Sequence, residues 1–441
     1  MSDETGSTQA AMPATLPPGL LGRAAATGLV AAGGATAFVV VEHETTDLLW
    51  EHVPERLGFD EVPWWWATGL LVIGALLTAA ALRLPGGGGH TPRDGLSFDV
   101  GPRTADSVVA AAFSTLVFVA VLGPEAPALA IGTATGAVLA AVGRPRRPDA
   151  EDGHRRLLML AGGMAAFGAV LGNPLAIAIF VLEAALVARR TAGAPLTLAP
   201  TAVALAAGYL LQVGIGPWVG FGEVVLALPE LEPYPTVRGV DLLLVVPLAV
   251  AIAGLVHLGF RLAGSMAQVG ARRPPVVMLL VAAVLTAALA LAARALVDAP
   301  LDRVLFSGQS ALPSVVTATS AGALMVVALA KLAAYTLALG SGFRGGPVFP
   351  LIYVCAAFGT SIALLVEASS TAGLVAGAVA AGTAAVIRLP FASALLAVLL
   401  TSGAGLAVTS PALLGSVVAL LTVLALDRRR GPRVVGPTEQ S

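Results

Sequence analysis

The sequence is poor in the residues that build redox and metal centres. Its one cysteine, Cys355, lies inside an apolar run, so an internal disulfide and a cysteine metal cluster are excluded and a packed thiol is expected. Histidine is also scarce, with 5 residues, and neither a His-Glu-x-x-His nor a Gly-x-Ser-x-Gly pattern occurs. The sequence therefore predicts no metal, no cofactor and no enzyme activity.

Charge is scarce as well. Charged residues make up 12% of the 441 positions, about half the share of an ordinary soluble domain, and the net charge is −1. The net charge by itself says nothing about nucleic acid, and no nucleic-acid partner is predicted. Hydrophobic residues instead make up 57% of the chain, and the mean hydropathy is +0.88. These values predict an all-α polytopic membrane protein in a lipid bilayer, where a span needs about 20 apolar residues.

The two ends of the chain differ from its apolar middle. Residues 1–18 contain Ser, Thr, Pro and acidic residues without apolar periodicity, which predicts a disordered cytoplasmic tail. Residues 428–441 are too few to fold and are predicted to form a second cytoplasmic tail. Residues 19–427 are predicted to form a single transmembrane domain.

Charged residues between the apolar runs predict the orientation. The connection between the first two runs, residues 20–41 and 63–84, is acidic. It contains Glu42, Glu44, Asp47, Glu51, Glu55, Asp60 and Glu61 against Arg56 alone. Later connections are basic and contain Arg144, Arg146, Arg147, Arg155 and Arg156, then Arg189 and Arg190, then Arg272 and Arg273. Because basic loops stay in the cytoplasm, we predict a multi-pass protein of the cell membrane with both termini cytoplasmic.

The chain also repeats itself weakly. Three pairs of proline-containing segments recur in the same order, with the prolines 221, 223 and 216 residues apart (313 − 92, 350 − 127 and 390 − 174). Coincidence in a chain rich in glycine and alanine is the alternative explanation. A two-fold repeat, about residues 19–215 and 240–427, is the better one, and an odd number of crossings in each half would invert the repeats. Tilted, broken and re-entrant helices with a site at the repeat interface are typical of such transporters.

A break between two apolar runs marks the candidate site. The stretch from Gly340 to Pro350 contains four glycines, which let the backbone turn, and two prolines, which suit the first turn of a helix. A helix that starts here presents unpaired N–H groups and a partial positive charge inside the membrane. This arrangement predicts a binding site for an anion.

Four segments carry a resemblance to a known family. In chain order they are Gly123-Pro124-Glu125-Ala126-Pro127, Asn173-Pro174-Leu175-Ala176, the stretch from Ser341 to Pro350, and Ile387-Arg388-Leu389-Pro390. They resemble the G-[KR]-E-G-P, N-A-P-L-A, G-x-F-x-P and I-R-x-P motifs of the voltage-gated chloride channel (CLC) family. The resemblance covers about residues 20–426. It looks closest to a bacterial branch of ion-transport proteins that carries S-G-F-R-G-G-x-x-F-P.

The resemblance implies a homodimer with one separate anion pathway in each subunit. It implies that the Glu125 carboxylate occupies an anion site and acts as the gate. The anion-binding residues that it implies are Gly89, His90, Glu125, Ala126, Val348 and Phe349. Chemistry supports Glu125 independently, because a carboxylate in an apolar segment costs several kcal/mol to insert and is kept mainly along a water or ion path. Capping of the helix that follows Pro127 is its alternative role.

The sequence departs from the family pattern at several positions. Gly89 stands where the family has a serine that coordinates the anion, while His90 either adds a donor or is a solvated loop residue. Pro347 stands where the family offers a backbone N–H, and the motif phenylalanine is displaced to Phe349. No tyrosine follows Tyr353, so the inner-gate tyrosine has no match. We therefore expect weaker anion binding than in the family.

A further departure concerns protons. Family exchangers end the segment that starts at Pro174 with two glutamates, of which the second receives cytoplasmic protons. Here those positions hold Glu183 and Ala184. Glu183 could act from one residue away, about 100° around the helix, or it could be a helix-terminal carboxylate near Arg189 and Arg190.

The function predicted from these residues is transport of small inorganic anions, chloride foremost. The pathway is expected to be channel-like or weakly coupled and gated by Glu125, with Glu183 as the candidate proton path. A proton-coupled exchanger of chloride or fluoride is the alternative, and a non-transporting scaffold would leave Glu125 without a role. Lys331, the only lysine, either raises the positive potential near the site, or it pairs with a neighbouring group or snorkels.

Overall fold

The computed structural model describes residues 19–95, 100–118, 121–142, 148–187, 194–214, 228, 231–367 and 369–428. The predicted disordered tails lie outside these residues, except for Arg428. So do the arginines at 144, 146, 147, 189 and 190. The domain limits and these basic clusters therefore stay predictions.

Helices joined by short turns make up most of the described residues, as the apolar composition predicts. They are α1 (Leu20–Asp47), α2 (Val53–Arg56), α3 (Trp64–Ala81), α4 (Ala105–Phe118), α5 (Glu125–Ala141), α6 (Pro148–Leu171), α7 (Pro174–Val187), α8 (Ala194–Gly214), α9 (Gly239–Gly270), α10 (Pro275–Val297), α11 (Leu312–Val316), α12 (Ala321–Ser341), α13 (Val348–Leu365), α14 (Thr371–Ile387), α15 (Pro390–Leu400) and α16 (Thr409–Arg428). Eight helical segments in the described ranges are long and apolar enough to cross a membrane. The expected helical membrane fold is confirmed.

The first helix is longer than its apolar run. The acidic residues from Glu42 onward do not form a loop, because α1 continues through a π-helical turn at Leu48–His52 into α2. Pro54 lies in the first turn of α2, just after the π-helical turn, and the chain first turns at Gly58, which has a φ of +82°. The connection to α3 is therefore only residues 57–63.

The described residues form two compact units. The first comprises those of Met1–Leu226, Ala263–Gln309 and Ala330–Pro350. Its helices approach closely through small residues: Gly132 of α5 faces Gly162 of α6, and Gly28 of α1 faces Ala204 of α8. A Cβ atom at any of these three glycines would overlap the backbone of the facing residue. Close backbone contact of this kind replaces the hydrophobic driving force that helices lack in lipid.

The second unit comprises the described residues of Ala227–Leu262, Ser310–Leu329 and Leu351–Ser441. Its centre is α14, in which every residue from Ala372 to Ala385 is buried. A helix that is apolar on all sides belongs in such a core. Gly377 of α14 contacts Gly415 of α16, again at backbone distance.

The order of helices supports the internal repeat. Four helices, α5 to α8, match α13 to α16 in order, and the first pair starts 223 residues apart (348 − 125). The loops before α5 and α13 meet in one antiparallel bridge between Gly123 and Gly346. An antiparallel exchange has local two-fold symmetry, which is what an inverted repeat requires.

The acidic and basic connections lie at opposite ends of α10. The helix starts beside the basic connection that holds Arg272 and Arg273, and it extends 23 residues, or about 34 Å. At its far end Arg294 pairs with Glu61 and donates to the Val62 oxygen at 3.1 Å. One helix of membrane-crossing length therefore separates the two kinds of loop.

Candidate functional site

The site is built around a carboxylate with no exposed surface. Glu125 is the first residue of α5, and its side chain is fully buried. One oxygen, Oε1, accepts hydrogen bonds from the backbone N–H groups of Val348 and Phe349, each at 2.9 Å. Glu125 therefore does not simply cap its own helix. It reaches across to the N-terminus of α13, which begins 223 residues later.

Two glycines hold the loops that carry this contact. Gly123 N–H donates to the Gly346 oxygen at 2.8 Å, and Gly346 N–H donates back to the Gly123 oxygen at 2.6 Å. A Cβ atom at either position would overlap the Glu125 carboxylate. Both positions therefore need glycine for this arrangement, because the side chain occupies the space where a methyl group would stand.

The first turn of α13 presents its donors despite the proline. Pro347 has no N–H, and its carbonyl oxygen accepts a hydrogen bond from the buried Tyr335 hydroxyl at 2.9 Å. The next two N–H groups, at Val348 and Phe349, are the ones that bind Glu125. The expected loss of a donor at Pro347 thus leaves a pair of donors that act together.

The electrostatics of this pair suit an anion. A helix N-terminus carries about half a positive charge, and its free N–H groups stabilise a carboxylate without a cationic side chain. The ion pairs within 4.0 Å among described residues do not include Glu125. Its second oxygen, Oε2, is buried and has no hydrogen-bond partner in the described part of the chain. The carboxylate thus occupies a position that a small anion could occupy in its place.

Sequence comparison agrees with this geometry. The family model for the voltage gated chloride channel matches residues 90–424. The chain belongs to the voltage-gated chloride channel family. It is therefore placed among anion channels and transporters, as its motifs predict. The ion-transport protein YfeO of Salmonella typhimurium is 26% identical over 362 residues, which cover 80% of this chain and 81% of that protein.

Solved structures show the same fold. A slow cyanobacterial Cl⁻/H⁺ antiporter is similar with a TM-score of 0.74 and 16% identity, over 94% of this chain and 98% of that one. A CLC-type fluoride/proton antiporter is similar with a TM-score of 0.67 and 17% identity, over 91% and 94% of the two chains. At such identities the likeness shows the fold, and the expected CLC architecture is confirmed.

The other predicted anion-binding residues of this CLC protein are more dispersed. Ala126 follows Glu125 in the first turn of α5 and is half-buried. Gly89 and His90 lie in the loop after α3, where His90 is exposed and Gly89 packs against Val108. None of the hydrogen bonds found between described residues joins Gly89 or His90 to Glu125. Their role in anion binding stays a prediction.

The candidate proton residue is buried. Glu183 lies near the end of α7 with 7% of its surface exposed, and Ala184 follows it. Its proposed partners Arg189 and Arg190 lie outside the described residues. The role of Glu183 as a proton path therefore stays a prediction.

Lys331 donates hydrogen bonds to a cluster of backbone oxygens. Its fully buried ammonium group donates to the carbonyl oxygens of residues 303, 304, 305 and 306 at 3.2, 3.3, 2.7 and 3.2 Å. Such a cluster of carbonyls is the end of a tight turn, whose acceptors would otherwise be orphaned. The structure therefore shows the expected pairing of Lys331 with neighbouring groups, whereas a raised positive potential near the site stays a prediction.

Two residues near the site were not singled out from the sequence. Tyr335, four residues after Lys331, binds the Pro347 carbonyl. Arg344 links the stretch before α13 to the loop after α3, since its Nη2 donates to the Gly87 oxygen at 3.3 Å. A tyrosine within an apolar run and a lone arginine in a glycine-rich break were the signals available in the sequence.

Proposed function

We propose that this protein conducts small inorganic anions, chloride foremost, through a channel-like or weakly coupled pathway gated by Glu125. The observation that carries the proposal is the Glu125 carboxylate bound to the N–H groups of Val348 and Phe349. A permeant anion needs the same two donors. While the carboxylate holds them, the position is closed to the anion, and it opens when the side chain swings away or is neutralised.

The energetics permit rapid passage. Hydrogen bonds from neutral backbone donors to a charged acceptor contribute about 1.5–3 kcal/mol each, so a two-donor site binds an anion only moderately. One charge moved across 100 mV gains about 2.3 kcal/mol, which is of the same order. Entry and exit can then both be fast, as conduction requires.

The assembly and orientation belong to the same proposal. Each subunit of a homodimer would carry its own pathway, because the Glu125 site is complete within one chain. Both termini would be cytoplasmic in a multi-pass protein of the cell membrane. The connection 57–63, which contains Asp60 and Glu61, is separated from Arg272 and Arg273 along α10. This separation supports the orientation, because basic connections stay on the cytoplasmic side.

Proton-coupled exchange of chloride or fluoride is the second candidate. The observation that favours it is Glu183, a carboxylate buried in α7 that could take up protons although Ala184 holds the position next to it. The structurally similar proteins include antiporters by their descriptions. Coupling needs a continuous proton path, and Ala184 in place of an acid argues against one.

Flux from reconstituted liposomes separates these candidates. Liposomes loaded with chloride, nitrate or fluoride should release each anion when a potassium ionophore supplies the counter-charge, and empty liposomes give the leak. With an outward chloride gradient, a pH dye inside should record no proton movement beyond that leak. Sustained uphill proton movement would contradict passive transport, and its loss in Glu183→Gln would establish the exchanger.

A further inference from the structure

Tyr335 binds the same peptide group that supplies one of the two donors to Glu125. Its hydroxyl donates to the Pro347 carbonyl oxygen at 2.9 Å. The Val348 N–H belongs to that peptide group and donates to Glu125 Oε1, also at 2.9 Å. The described residues contain no cis peptide bond, so the C=O and the N–H of this planar group point in opposite directions. Tyr335 and Glu125 therefore bind the two opposite edges of one peptide group.

The first turn of α13 has few other donors. Pro347 and Pro350 have no N–H, because the nitrogen of proline is closed into its ring. Val348 and Phe349 lie between these prolines, and both donate to the single atom Glu125 Oε1. An anion in place of the carboxylate would depend on the same two N–H groups. The direction and strength of each of them should therefore matter for binding.

The helix that carries Tyr335 is fixed in its rotation. Tyr335 is buried, and Lys331 lies one turn before it on the same face of α12. The buried Lys331 ammonium group donates to the four carbonyl oxygens of the turn that ends at Phe306. Because these bonds hold the shared face of α12 against that turn, the Tyr335 hydroxyl keeps its direction towards Pro347.

A hydrogen bond to a carbonyl oxygen acts on the N–H of the same peptide group in two ways. It restrains rotation of the peptide plane, so the N–H stays directed at its acceptor. It also draws electron density towards the oxygen, which makes the N–H a stronger donor, because linked hydrogen bonds polarise one another. Both effects are larger in a buried site, where the local dielectric constant is low. The Tyr335 hydroxyl should therefore strengthen the bond from Val348 to its acceptor.

We propose that Tyr335 is a positioning residue of the anion site, whose hydroxyl orients and polarises the peptide group between Pro347 and Val348. The Val348 N–H then binds the Glu125 carboxylate and, once the carboxylate is displaced, the anion. This inference rests on the proposed function, in which an anion takes the place of the carboxylate. A tyrosine 12 residues before Pro347 thus sets the affinity of the site without contacting the anion.

Chloride binding to Glu125→Gln tests the proposal, because the uncharged amide is displaced from the α13 donors more easily than the carboxylate. Calorimetry of the purified, full-length protein with sodium chloride, against a sodium gluconate baseline, gives the chloride Kd. Adding Tyr335→Phe removes the hydroxyl and keeps the ring. The chloride Kd should rise about threefold, because the Val348 N–H loses the bond that orients and polarises it.

Tyr234→Phe in the same Glu125→Gln background is the matched control. Tyr234 is equally buried, and its hydroxyl accepts from the Arg238 backbone N–H at 3.0 Å in the second unit. The loss of this hydroxyl should leave the chloride Kd unchanged. An unchanged Kd in Tyr335→Phe, or an equal rise in both variants, would assign Tyr335 to stability alone and overturn the proposal.

3-Fluorotyrosine gives a readout that does not require Tyr335→Phe to fold. The chain has 4 tyrosines, and the ¹⁹F signal of Tyr335 is the one that remains in each of Tyr209→Phe, Tyr234→Phe and Tyr353→Phe. This signal should differ between the parent and Glu125→Gln, because the charge at the far edge of the peptide group is lost. It should shift again when chloride binds to Glu125→Gln.

The outcomes separate this proposal from the proposed function. A Tyr335 signal that ignores chloride while calorimetry shows binding would refute the positioning role and leave anion transport standing. A Tyr335 signal that responds to Glu125→Gln, in a protein that neither binds nor releases chloride, would refute anion transport and leave the link from Tyr335 to Val348 standing.

Discussion

Replacement of Glu125 by glutamine tests the gate most directly. Glutamine has nearly the same shape and keeps an oxygen that can accept from Val348 and Phe349, but it has no charge. A hydrogen bond to a charged acceptor contributes about 1.5–3 kcal/mol and one to a neutral acceptor about 0.5–1.5 kcal/mol. Each of the two bonds should therefore weaken by about 1 kcal/mol. The combined loss of about 2 kcal/mol favours the displaced side chain roughly 30-fold.

The assay is chloride efflux from liposomes over a range of pH. The unmodified protein should release chloride faster as the pH falls, because protonation removes the charge that holds Glu125 on α13. Glu125→Gln should be faster throughout, by up to roughly 30-fold where displacement limits the rate, and should not respond to pH. Glu42→Gln, which changes a half-buried carboxylate in α1 to the same amide, serves as the control and should behave like the parent. Unchanged efflux and an unchanged pH response in Glu125→Gln would remove Glu125 from the pathway.

Three further predictions concern the packing around Glu125, the buried Lys331 and the topology. Gly346→Ala places a methyl group where the Glu125 carboxylate lies, so chloride efflux should lose most of its pH response; a normal pH profile would contradict the packing. Lys331→Met leaves four carbonyl oxygens without their donor and should destabilise the protein by about 3 kcal/mol or more. The melting temperature in detergent should therefore fall, and an unchanged melting temperature would show that the ammonium group is dispensable. A cysteine that replaces Glu55 should react with an impermeant maleimide on intact cells, whereas one that replaces Arg272 should react only after permeabilisation. The buried Cys355 should not react, and the reverse labelling pattern would invert the topology.

Local composition by itself determined the class of the protein and the places of several helix ends. Apolar runs are long enough to cross a bilayer, and their length alone requires helices, because lipid leaves backbone polar groups no other partner. Glycine and proline marked the start of α13, and a carboxylate in an apolar segment marked Glu125. These signals are readable from the chain because each depends on residues that are neighbours in sequence. The predicted end of the first helix was wrong, because acidic residues continue a helix where no helix-breaking residue interrupts it.

Only the tertiary structure decided which groups meet. Glu125 contacts donors that begin 223 residues away, and Arg344 contacts Gly87 over 257 residues. No periodicity encodes such pairs, because they depend on how two loops are tied together at Gly123 and Gly346. The structure likewise assigned the Lys331 ammonium to the turn that ends at Phe306 and the Tyr335 hydroxyl to Pro347. The sequence by itself therefore determined which chemical groups enter the membrane, whereas packing decided that a carboxylate would occupy the helix N-terminus, because only folding brings donors and acceptor within 2.9 Å.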